Sequence, residues 1–186
     1  MNRWRDRFVA SAYRGATNVL EPGIRFVYAR WGLGDSVSLR AERLAQNEFT
    51  PIDSWWHAAS LGEIAALEPV LSRARDRSLT GRFIVTTTSS AGREAARKHW
   101  SEVSLAPLDL PRTIAHALDA RRPRALILVE TELWPNWLRL ALARGTRIAV
   151  VNGRVSDKGW SRWRRGAPRD RRRSLQVLRR KGRARC

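Results

Sequence analysis

The chain has 186 residues and a 43% hydrophobic content, ordinary for a globular protein, yet it carries 36 Lys/Arg against 17 Asp/Glu, a formal net charge of +19. That length admits one full domain with appendages and excludes two complete domains of ordinary size. The lone Cys186 excludes an internal disulfide, and the scattered His57, His99 and His116, without cysteine partners, exclude a Cys/His zinc site.

The charge is uneven. Residues 157–186 hold 13 Lys/Arg and 2 Asp/Glu, a net +11, leaving +8 for the rest. No apolar stretch reaches the roughly 20 residues of a spanning helix, and no signal-peptide pattern is visible. At the N-terminus, Trp4, Phe8, Ala12, Ala16, Val19 and Leu20 recur at helical spacing among Arg3, Arg5, Arg7 and Arg14. This pattern suits a helix lying in a lipid headgroup layer, and equally an amphipathic helix packed on the protein itself.

From residue 52 short apolar runs alternate with helical stretches. Strands are expected at 52–59, 83–88, 103–106, 125–130 and 147–152, with helices at 64–77, 92–100, 111–120 and 135–144 between them. Pro69 implies that the first of these helices either starts near Glu68 or is kinked. Near-continuous apolar strands such as 125–129 and 148–151 suit burial on both faces. The expected class is therefore α/β, a Rossmann-like parallel sheet with helices on both faces. Residues 1–50 form an N-terminal amphipathic segment, 51–163 the Rossmann-like domain, and 164–186 an Arg-rich tail. The tail has too little apolar content to fold alone and is expected to be disordered or a marginal helix.

In such sheets ligands bind beyond the carboxyl ends of the strands. The polar residues there are Ser60, Gly62 and Glu63; Ser89, Ser90 and Gly92; Asp109; Glu130, Thr131 and Glu132; and Asn152, Gly153 and Arg154. Glu63 and the Glu130/Glu132 pair facing one cleft would make an acid/base candidate, whereas Glu130 and Glu132 would otherwise cap the helix opened by Pro135. Ser89-Ser90-Ala91-Gly92 is either an anion cradle, to which Arg93 would add charge, or a helix cap. Trp134 and Trp137 either wall the cleft or pack the core, and His57 either orients a ligand or is a satisfied core histidine.

Four runs taken together, His57-Ala58-Ala59-Ser60-Leu61-Gly62-Glu63, Pro107-Leu108-Asp109-Leu110-Pro111, Glu130-Thr131-Glu132-Leu133-Trp134-Pro135-Asn136 and Asn152-Gly153-Arg154-Val155-Ser156, resemble the N-terminal half of the 3-deoxy-D-manno-octulosonic acid (Kdo) transferases of lipopolysaccharide assembly. The resemblance covers residues 50–163. It implies the N-terminal half of a two-domain GT-B glycosyltransferase that transfers Kdo from CMP-Kdo to a lipid A precursor (lipid IVA). Such a transferase is inverting, needs neither metal nor cofactor, and works at the cytoplasmic face of the inner membrane against an anionic lipid surface.

By the same resemblance Glu63 is the base that deprotonates the acceptor hydroxyl and Glu130 helps stabilise the transition state. Ser60, Gly62, Ser89, Ser90, Gly92, Glu132, Trp134, Asn152 and Arg154 line the substrate site. The family pattern continues through Ser161-Arg162-Trp163-Arg164 and then gives way to the Arg-rich stretch. The expectation is a truncated form lacking the domain that binds CMP-Kdo, in which the isolated chain transfers little or nothing. The alternative is a basic protein binding nucleic acid or membrane through its tail. Nucleic acid is the less expected partner, because the rim motifs lie outside the tail and have no use in phosphate-backbone binding.

Overall fold

The computed structural model describes residues 3–77, 81–130, 134–151 and 175–178, without the side chains of 3–10, 33 and 175–178. It contains a parallel sheet of six strands in the order β3-β2-β1-β4-β5-β6. The strands are β1 (Ser54–His57), β2 (Phe83–Thr87), β3 (Val103–Leu105), β4 (Ala125–Val129), β5 (Arg147–Val151) and β6 (Leu175–Leu178). The helices are α1 (Arg3–Trp31), α2 (Val37–Arg43), α3 (Leu61–Asp76), α4 (Ser90–Arg97), α5 (Pro111–Arg121) and α6 (Pro135–Ala143).

The apolar runs are continuous because both sheet faces are covered. Successive side chains point to opposite faces, so Trp55, Leu126, Leu128, Ile148 and Val150 join Ile114, Leu118, Trp137 and Leu138 of α5 and α6 in one core. Their neighbours Trp56, Ile127 and Val129 join Ile64, Leu67, Leu71 and Ala96 of α3 and α4 in the other. Helices on both faces of a parallel sheet are what the sequence predicts. Pro69 lies within α3, which is one element from Leu61 to Asp76. Both Pro69 and Ala65, whose carbonyl loses its amide partner, are on the exposed face, where water serves instead.

Two departures concern the ends of the chain. Residues 175–178, expected to be disordered or helical, pair in parallel with β5 from Ile148↔Leu175 to Val151↔Leu178. A short run that cannot fold alone can still add to an open sheet edge, whose backbone groups otherwise lack partners. The rest of the tail lies outside the described residues.

At the other end, α1 docks by polar contacts rather than by its apolar stripe. Its inner face presents Tyr13, Thr17, Glu21, Arg25 and Tyr28, which bond to Asp109, Asn136, α5 and the residues around α2. Val19 and Leu20 are 79% and 57% exposed. Leu20, Ile24, Val27 and Trp31, spaced to lie along one side of the helix, are all exposed as well. No helix among the described residues is long and apolar enough to cross a membrane.

Candidate active site

Strand order reverses between β1 and β4, and in open parallel sheets the crevice beyond the carboxyl ends of two such strands is where ligands bind. Glu63 follows β1 and Glu130 follows β4. The register pairs His57 with Leu128, and Ala59 and Glu130 each lie two residues beyond that last pair. The Glu63 carboxylate is tied to that same Ala59, whose backbone N–H donates to Oε2 at 2.8 Å. Its other oxygen accepts from Ser60 Oγ at 3.0 Å. The fold thus brings the two residues predicted to be catalytic to the ends of the two adjacent strands that flank one crevice.

Glu63 has a structural task too. Ser60 caps α3, accepting from the Glu63 N–H, and the Glu63 side chain reaches back across the cap in the manner of a capping box. Only two of about four carboxylate lone-pair positions are used by these bonds. The side chain is 8% exposed, so it is held in one orientation with acceptor capacity remaining.

Glu130 is different in kind. It adopts φ 61°, and the other non-glycine residues with positive φ among the described residues, Ala45 and Arg122, follow the helices α2 and α5. Left-handed residues are common at helix ends, but at the end of a strand a glutamate in this region is strained by about 1–3 kcal/mol, which persists mainly at functional positions. Its N–H donates to Val151 O at 2.9 Å, holding the strained turn against β5.

The helix-capping reading of Glu130 gives way to a different residue. Helix α6 opens Trp134-Pro135, and Trp134 offers no side-chain cap. The amides of Asn136 and Trp137 donate instead to Asp109 Oδ2 and Oδ1, at 3.1 and 2.8 Å. Asp109 also accepts from the Tyr13 hydroxyl at 2.8 Å, while Asn136 Nδ2 donates to Asp109 O and Thr17 Oγ1. Burial pushes the Asp109 carboxyl above its ordinary range, and the bonds from Asn136, Tyr13 and Trp137 work against that rise. Burial and the Asp109 bond together push the Tyr13 hydroxyl up to about 12. Helix α5 repeats the device. Leu110 cannot cap it, and the buried Glu21 of α1 accepts from the Arg112 and Thr113 amides at 2.8 and 3.0 Å.

The serine loop follows its capping reading. Ser89 accepts from Gly92 N at 3.1 Å, Ser90 is exposed, and Gly92 is required sterically, since a Cβ there would lie 2.5 Å from Thr87 Oγ1. Contrary to the expectation from sequence, Arg93 does not add its charge to this loop. It is paired with the buried Glu42, donating from Nε to Oε2 at 2.9 Å and from Nη2 to Oε1. Glu42 also accepts the Leu105 N–H at 2.7 Å, so the pair pins α2 and α4 to β3. At Gly62, by contrast, the nearest atom to a Cβ would be Ser60 Oγ at 4.0 Å, so internal packing does not demand glycine.

Trp137 is a core residue, its ring 5.1 Å from Trp55 and 5.0 Å from His57. Trp134 is half-buried against the same core. His57 is fully buried, with Nδ1 3.1 Å from Thr86 Oγ1. Burial depresses it to about 4, so it is neutral at physiological pH. Glu132, Asn152 and Arg154 lie outside the described residues. The residues missed from sequence are Tyr13, Glu21, Glu42 and the clamping role of Asp109; they act across 27 to 96 positions of chain, and no local pattern announces such pairs.

The family described as 3-deoxy-D-manno-octulosonic-acid transferase (kdotransferase) matches residues 3–180 of this chain. The chain belongs to that family. Its curated relatives include a probable 3-deoxy-D-manno-octulosonic acid transferase, mitochondrial, of Arabidopsis thaliana, 32% identical over 84% of this chain and 37% of that protein. A 3-deoxy-D-manno-octulosonic acid transferase of Chlamydia trachomatis serovar D is 33% identical over 59% of this chain and 26% of its own length. One of Bordetella pertussis is 32% identical over 57% of this chain and 27% of its own. The chain therefore spans about a quarter to just over a third of these relatives.

Proposed function

We propose that these residues form the acceptor side of a Kdo transferase, in which Glu63 takes the proton from the acceptor hydroxyl as it attacks the anomeric carbon of Kdo. What supports this reading is that Glu63, its carboxylate held by two bonds, and Glu130, its backbone strained, follow the two strands that flank the topological crevice. A base must sit within hydrogen-bond reach of the proton it takes, and a carboxylate fixed by two bonds with acceptor capacity to spare meets that requirement. Attack from the face opposite the departing CMP inverts the anomeric centre, and Glu130 contributes to stabilising the charge that develops there. Gly62, where packing leaves room above the backbone, gives the acceptor close approach beside Glu63.

The acceptor in this reading is a lipid A precursor presented at the cytoplasmic face of the inner membrane, with CMP-Kdo bound outside these 186 residues. The exposed stripe of α1 supports the membrane part, because Leu20, Ile24, Val27 and Trp31 stay exposed beside a docking face that is polar. Insertion of such a stripe into the headgroup boundary scales with its apolar area. Vesicle flotation tests it: Val27→Asp combined with Trp31→Ser is expected to reduce binding to anionic vesicles at least tenfold without altering the fold. Undiminished flotation of the double variant would overturn the membrane assignment.

A further inference from the structure

Helix α1 meets the start of α5 in a cavity of about 410 Å³ lined by Glu21, Pro22, Arg25, Arg112 and His116. That volume is within the range of small-ligand pockets. Since α5 begins beyond the carboxyl end of β3, the cavity lies at the same end of the sheet as the crevice.

Its electrostatics are one-sided. The single lining carboxylate, Glu21, is fully buried and already consumed by the Arg112 and Thr113 amides and the Thr113 hydroxyl. Arg25 donates to Thr113 Oγ1 at 2.6 Å and to Leu44 O, both uncharged. Among the described residues neither Arg25 nor Arg112 has a carboxylate within ion-pair distance. The next acid along α5, Asp119, is engaged by Arg144 through two bonds of 2.7 Å. Two guanidiniums and an imidazole thus converge on a cavity whose only acid is spent, and planar guanidinium forks match tetrahedral oxyanions in a way that a point charge does not. The flank is apolar, for Val19 and Phe26, three and four residues from Pro22 and so on the same side of α1, are 79% and 66% exposed.

We propose that this cavity binds a phosphate monoester, with Arg25, Arg112 and His116 contacting the phosphate oxygens and the exposed Val19 and Phe26 accommodating an apolar portion of the molecule that carries it. The site is separate from the crevice, and its failure leaves the Glu63 argument untouched.

Inorganic phosphate titrated against the full chain and followed by ³¹P NMR is expected to show saturable binding. Arg112→Ala combined with His116→Ala, both exposed positions, weakens it at least tenfold, Arg112→Lys alone by about threefold or more, because the fork is lost while the charge stays, and Arg97→Ala on α4 leaves it unchanged. A second arm compares vesicles carrying phosphatidic acid, a monoester, with vesicles carrying phosphatidylserine, a diester, at equal mole fraction. Preference for phosphatidic acid that is lost in the double variant assigns the ligand to lipid, whereas saturable phosphate binding without that preference assigns it to a soluble phosphate. Non-saturable phosphate shifts, or a loss in Arg97→Ala equal to that in the double variant, would overturn the proposal.

Discussion

Replacing Asp109 by alanine removes the acceptor for two amides at the start of α6 and for the Tyr13 hydroxyl in one step. Each amide-to-carboxylate bond is worth about 1.5–3 kcal/mol, and its loss leaves a buried donor unsatisfied. The carboxylate itself is held against desolvation, as its raised pKa records, so part of that gain is already offset. The net expectation is a destabilisation of about 3 kcal/mol for Asp109→Ala. Asp109→Asn keeps the volume but turns one acceptor into a donor facing another donor, for a loss of about 1–2 kcal/mol. With a urea m-value of about 2 kcal/mol/M, the alanine variant unfolds about 1.5 M earlier, read by far-UV circular dichroism. The clamp makes a stricter claim through a double-mutant cycle. Tyr13→Phe costs about 1 kcal/mol in the native background and close to nothing beside Asp109→Ala. An alanine variant within 0.5 kcal/mol of the parent, or equal Tyr13→Phe losses in both backgrounds, would refute the reasoning.

Two further expectations concern buried charge. His57 titrates at about 4 in the fold against 6.5 when exposed, so the unfolded chain binds the proton more readily. The stability this neutral histidine contributes is present above pH 6.5 and is lost as pH falls toward 4, on the order of 3 kcal/mol in all. Asp109, whose carboxyl is raised, acts in the opposite sense, so the comparison is between the parent and His57→Gln in the same buffers; the parent's thermal midpoint should fall more steeply across that window, and parallel curves would contradict the assignment. Glu42→Gln breaks a buried pair and should destabilise by about 3 kcal/mol, whereas Glu42→Leu with Arg93→Met loses markedly less; equal losses would show that the orphaned charge is not the cause.

The sheet and its helices were legible in the sequence because residues such as Leu126, Ile127, Leu128 and Val129 must all be apolar when both faces are covered. Strand and helix limits agree to within a few residues from β1 to β5, and the crevice follows from strand order. Less legible was anything that depends on which remote group reaches a helix start. Leu110 and Trp134 are poor caps, so an external carboxylate was needed, but nothing local identifies it as Glu21 or Asp109. Arg93 beside a serine loop looks like an anion ligand until α2 is seen to bring Glu42 against it. The amphipathic pattern of α1 was plain, yet which face docks was not, since the docked face is the polar one. Residues 175–178 join the sheet because β5 offers an open edge, a tertiary circumstance that composition does not record.

The central claim is that Glu63 activates the acceptor. It is tested most directly by fusing residues 1–163 to the complementary C-terminal half of the Bordetella pertussis relative and measuring Kdo transfer from CMP-Kdo to lipid IVA. The fusion is expected to transfer, and Glu63→Gln within it to lower kcat about 10²–10⁴-fold, the usual contribution of a positioned base, with acceptor binding and thermal midpoint close to the parent's. Transfer by Glu63→Gln at the parent rate would contradict the account.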